Sequence, residues 1–170
     1  MLTRVLVAAV VAWPLVAGAA LWHRVVHPEA PAAWASVVYF TAGQVCHQRP
    51  ERSFDTGGVP WPVCARCTGL YLAAPFGALL ALGRAGAHAR GRGLETQAAL
   101  RGRAGHFVAR AGSQARGFVA LAAVPTVLTL AWEWGGLGTP PNPWRLVTAL
   151  PLGLAVAFVL VQVTRPNQVH

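Results

Sequence analysis

Seven arginines (Arg84, Arg90, Arg92, Arg101, Arg103, Arg110 and Arg116) stand against a single acid, Glu95, between two long apolar runs. A loop so rich in arginine is held on the cytoplasmic side of a bilayer, so it fixes the sidedness of everything around it. The surrounding composition requires a bilayer. The chain is 55% hydrophobic and only 11% charged, whereas soluble domains carry about 25% charged residues. Its formal charge of +9 comes entirely from arginine, with no lysine present. In a soluble protein that excess would suggest nucleic acid. Here it gathers in the 84–116 loop, without a basic groove interleaved with aromatics, and points to a cytoplasmic face and anionic lipid.

About 20 apolar residues cross a bilayer as a helix. Four such segments are expected, at about residues 4–22, 63–82, 117–133 and 146–164, in one all-α membrane domain over 1–170. Ala17-Gly18-Ala19 resembles a signal-peptidase site, but the run is long and Trp13-Pro14 interrupts it, so a retained span is the expectation. An even number of spans puts Arg4, the 84–116 loop and Arg165 on the inside. The outer segments are then 22–68 and 132–145. Ala32 to Val45 is too short to cross and reads as an interfacial or re-entrant helix. A helical stretch around Leu94 to Ala111, lying on lipid, is a further possibility. Gly69, Ala73, Gly77 and Ala81 recur every four residues, a stripe that lets a second helix approach closely.

The outer segments hold the groups capable of chemistry. Cys46, Cys64 and Cys67 are the only cysteines. Cys64-x-x-Cys67 falls at the start of a helix, where free N–H groups and the Arg66 charge favour thiolate. Thiolate serves two chemistries. Cys46, Cys64 and Cys67 with His47 form a Cys3His set for zinc or another soft divalent ion, although adjacent Cys-His ligation is unusual. Glu51, Asp55, or His23 and His27 at the end of the first span are substitutes for His47; the two histidines read more simply as interfacial anchors. Alternatively, Cys64 attacks and Cys67 resolves in a thiol–disulfide oxidoreductase, with Cys46 as relay. A purely structural cysteine cluster is the third reading.

Gln48, Glu51, Arg52 and Arg66 lie close enough in sequence to orient such ligands, and Arg52 with Glu51 also suits an anionic headgroup. In the other outer segment, Glu133 sits at the membrane edge between Trp132 and Trp134. An acid there needs a partner, and Arg145 or Arg66 is expected to pair with it over the cysteine site. A small transporter using Glu133 and Arg145 has little else to support it. No phosphate-cradling Gly-rich loop with lysine, Gly-x-Ser-x-Gly elbow or His-Glu-x-x-His is present. Thr68 follows Cys67 where a c-type haem motif needs histidine.

Cys46-His47-Gln48-Arg49-Pro50-Glu51-Arg52-Ser53-Phe54, Pro62-Val63-Cys64-Ala65-Arg66-Cys67-Thr68-Gly69-Leu70-Tyr71 and Asn142-x-x-Arg145-x-x-Thr148 with Gly153 resemble the signature of a family of small prokaryotic membrane proteins, domain of unknown function number twenty eighty-five. The chain has Ala73 where that family commonly has Gly, a longer 84–116 loop, and only Glu133 to align with an Asp-Gly-x-x-Gln stretch. The resemblance implies a multi-span protein of the prokaryotic cytoplasmic membrane, with Asn142 and Arg145 joining the clustered motif residues. It implies no activity.

Overall fold

The computed structural model describes residues 1–30, 32–91 and 104–164. Five helices are joined by one small hairpin: α1 (Leu2–Val26), α2 (Ala33–Gly43), a 3-10 turn (Pro50–Arg52), β1 (Ser53–Thr56), β2 (Val59–Cys64), α3 (Ala65–Gly91), α4 (Ala104–Trp134) and α5 (Asn142–Thr164). Among the described residues, four helices are long and apolar enough to cross a membrane, over Leu2–Val26, Ala65–Arg84, Ala115–Trp134 and Asn142–Thr164. Each of these helices lies within a few residues of one of the four expected segments, and α2 is the short fifth helix.

The core is the crossing of α3 with α5. Lipid tails are as apolar as leucine, so burial alone does not hold helices together in a bilayer and close packing must. The small-residue stripe supplies that packing. Ala73, Ala78 and Ala81 of α3 and Ala149, Ala155 and Ala157 of α5 are all buried. A methyl group on Gly69 would run into the Leu146 carbonyl, one on Gly77 into that of Leu154, and one on Gly153 into that of Leu70. The backbones therefore touch, and only glycine fits at these three positions. α1 and α4 pack more loosely and leave Leu15, Leu121, Val127 and Leu128 exposed for lipid to cover. Pro14, Pro75, Pro125 and Pro151 lie inside the helices; packed helices tolerate such breaks when neighbours satisfy the freed carbonyls.

The connection between α3 and α4 is narrower in backbone terms than the expected 84–116. α3 continues to Gly91 and α4 begins at Ala104. Residues 104–111 thus belong to α4, ahead of its span-grade part Ala115–Trp134, and do not form a separate helix. Residues 92–103, with the rest of the proposed 94–111 stretch and of the arginine loop, lie outside the described residues.

The hairpin is an addition to the all-helical expectation. β1 and β2 pair antiparallel, with Ser53 opposite Cys64 and Thr56 opposite Val59. The turn is Gly57-Gly58, with φ of +62° and +81°, a left-handed pair that glycine adopts without a steric penalty. Asp55 Oδ1 accepts a hydrogen bond from the Gly58 N–H at 2.9 Å and closes it. This hairpin carries the chain back from the end of α2 to the start of α3, so that Cys46 and Cys64 become neighbours.

Candidate metal centre and its arginine cavity

The backbone brings the three sulfurs together by way of Gln48. Its Nε2 donates to the Tyr39 carbonyl of α2 at 2.7 Å and to the Pro62 carbonyl of β2 at 2.8 Å. Gln48 takes a left-handed φ of 47° to reach both, a conformation uncommon outside glycine. The side chain thus clamps the end of α2 to the second strand. Cys46, just beyond α2, is left facing β2, and its Sγ accepts the Cys64 N–H at 3.2 Å. Cys67 follows one turn into α3.

The Sγ atoms of Cys46, Cys64 and Cys67 all lie within 4.8 Å of one another. All three are free thiols. Trp13, Val63 and Tyr71 pack against them, with Trp13 and Tyr71 in edge contact at 6.0 Å between ring centroids. Hydrogen bonding from the Cys67 thiol holds the Cys64 thiol down to about 5, against burial, which pushes the other way; the backbone N–H of Cys67 and the Cys46 thiol act in the same lowering sense. The helix-start reading of Cys64 as the thiolate agrees with this.

His47 is exposed and lines the same cavity, but its ring nitrogens lie outside the three-sulfur group. Glu51 is also exposed and faces Arg49 at 4.0 Å. Asp55 is used in the hairpin turn. His23 and His27 stack on each other, with ring centroids 4.8 Å apart, and His23 packs edge-on against Trp34. Neither histidine belongs to the three-sulfur group.

Next to the sulfurs, the end of α4 meets the starts of α3 and α5. Glu133 is almost fully buried and faces two cations: Arg66 Nη2 at 2.9 Å from Oε2, and Arg145, whose Nη2 bonds to Oε1. Both candidate partners foreseen for this acid are engaged at once. Arg145 is the largest fully buried side chain among the described residues, and it also donates to Asn142 Oδ1 at 3.3 Å. Asn142 in turn donates to the Ser53 carbonyl at 2.8 Å, which staples α5 to the hairpin. The 132–145 segment and the cysteine segment therefore share one centre.

A cavity of about 390 Å³ opens over this centre. Its walls include Cys46, Cys64 and Cys67, and also Arg49, Arg52, Arg66, Arg145 and Trp134. Arg49 and Trp134 were not foreseen as site residues. Arg49 follows Gln48, whose left-handed backbone the sequence does not announce.

A family model described as Predicted membrane protein (DUF2085) matches residues 46–159, from the first cysteine into α5. An uncharacterized protein of Methanothermobacter thermautotrophicus is 57% identical over 30 residues, which is 18% of this chain and 27% of that relative. The chain thus matches about a quarter of that relative's length. No solved structure matches the chain.

Proposed function

The chain belongs to the DUF2085 family of predicted membrane proteins, and on that footing we propose that it carries a metal-binding centre at the outer face of the membrane. A soft divalent cation such as zinc is held by the thiolates of Cys46, Cys64 and Cys67. One observation carries this reading: three sulfurs from two separate stretches of backbone lie within 4.8 Å. In a tetrahedral zinc site, with sulfur about 2.3 Å from the ion, the sulfurs sit about 3.8 Å apart, so a small inward rotation of the side chains suffices. His47 is the proposed fourth ligand, since it lines the same cavity and is exposed enough to turn. Gln48 keeps Cys46 and Cys64 adjacent, and the Arg66–Glu133–Arg145 group fixes the start of α3 on which Cys67 rides.

The outward placement rests on the arginine-rich 84–116 stretch, which is proposed to stay inside against anionic lipid. The test is metal analysis of the purified full chain: about one zinc per chain, lost in Cys64→Ser, with an impermeant thiol reagent reaching the cysteines from outside intact cells only after chelation. Metal-free protein whose three thiols remain free in every growth condition overturns this reading.

The lowered Cys64 thiol favours a second reading. In it Cys64 attacks a disulfide and Cys67 resolves the mixed disulfide at the oxidising outer face. A Cys64–Cys67 bond whose redox state changes in cells, in protein without metal, would select it over the first.

A further inference from the structure

We propose that the cavity above the sulfurs is an anion site, which takes a phosphate group through Arg49, Arg52, Arg66 and Arg145. The proposal rests on the arginines and stands apart from the metal reading.

Four guanidinium groups line this cavity and no carboxylate does. The nearest acid, Glu133, lies behind them with its side chain 3% exposed and is divided between Arg66 and Arg145. Glu51 approaches Arg49 only at 4.0 Å, and both are mostly exposed, so their pairing is worth little. Arg52 has no ion pair among the described residues. Four cations against Glu133 leave an excess of three. Three thiolates around a divalent ion would remove one more and leave two.

The second observation concerns donors. Arg145 is 2% exposed, yet its Nε has no hydrogen-bond partner, and neither does Nε of Arg66. Arg66 Nη2 is taken up by Glu133 Oε2 at 2.9 Å. A buried donor without an acceptor costs about 1–3 kcal/mol, more when charged. Native structures rarely leave one unless a ligand or water meets it. A tetrahedral oxyanion presents several acceptor oxygens, matching guanidinium forks approaching from different helices. The cavity volume is within the range of small-ligand sites. Its position at the mouth of the bundle, at the level where spans end, gives two sources for the same chemistry: the phosphodiester of an anionic lipid or free inorganic phosphate.

The test uses the full-length, chelator-treated protein in an uncharged detergent, titrated with inorganic phosphate and separately with phosphatidylglycerol or phosphatidylcholine in mixed micelles. Saturable binding of one equivalent is expected for inorganic phosphate or for phosphatidylglycerol over phosphatidylcholine, and which of the two binds identifies the source. Arg49→Gln and Arg52→Gln sit at the mouth, away from the buried pair, and each should weaken binding about tenfold while three titratable thiols remain. No saturable binding of either phosphate compound, or binding unmoved in the Arg49→Gln/Arg52→Gln double variant, overturns the proposal. Failure of the metal reading shows separately, in the metal content.

Discussion

α5 is held at its two ends by opposite means. Along its middle it meets α3 backbone to backbone, through Gly69, Gly77 and Gly153, with no charged side chain at these three contacts. At its N-terminal end it is tied by Asn142 to the hairpin and by Arg145 to the buried Glu133. The first contact is a matter of shape and tolerates no added volume. The second is a matter of charge and tolerates no missing partner. In lipid, where burial gives little association energy, shape brings the helices together and charge fixes their rotation and depth.

The comparison can be broken at either end. The largest effect is expected from Glu133→Gln, which leaves Arg66 and Arg145 facing each other without an anion. Breaking a buried ion pair costs about 3–5 kcal/mol, so the detergent-solubilised variant should lose most of its thermal stability; a melting curve like that of the parent would show the charge to be dispensable. Gly77→Ala comes next. Its methyl meets the Leu154 carbonyl, and overpacking costs about 1–3 kcal/mol. Gly83→Ala on the same helix meets nothing within 4 Å and should be neutral or slightly stabilising. Equal losses at both positions would show that the crossing is not set by shape. Asn142→Ala removes the staple to Ser53 and should cost about 1 kcal/mol, read as faster proteolysis of the hairpin with the spans intact. The smallest change touches no packing. In metal-free protein the alkylation rate of Cys64 should stay flat from pH 9 to 6 and fall through about 5, because thiolate persists above its lowered pKa and is protonated below it. A midpoint near 8.5, the ordinary thiol value, would remove the cluster's influence on this sulfur.

Much of the shape-determined half was legible in the sequence. Apolar run lengths gave four spans, and the spacing of Gly69, Ala73, Gly77 and Ala81 gave a contact face. Only its partner helix was left to be found. Span ends were less legible, because α1 runs on to Val26 and α5 starts at Asn142, where polar residues keep helical hydrogen bonds outside the hydrocarbon. The hairpin was hidden for a physical reason. Pro60 and Pro62 cannot donate to a strand ladder and argue against β structure, while Gly57-Gly58 between two short extended runs was the signal for it. At the site, the three cysteines and the partners of Glu133 were readable from residue type and sidedness. The brace formed by Gln48 and the cavity wall formed by Arg49 were not, since both depend on one left-handed residue whose neighbours only the folded chain supplies.

The sharing of one carboxylate by two guanidinium groups also bears on how the chain is made. Arg66 leaves the ribosome well before Glu133, and Glu133 before Arg145, so the first cation waits at the translocon or among headgroups until the third span arrives. Glu133 then neutralises it when α4 arrives, and the cavity acquires its final walls only once α5 has followed with Arg145.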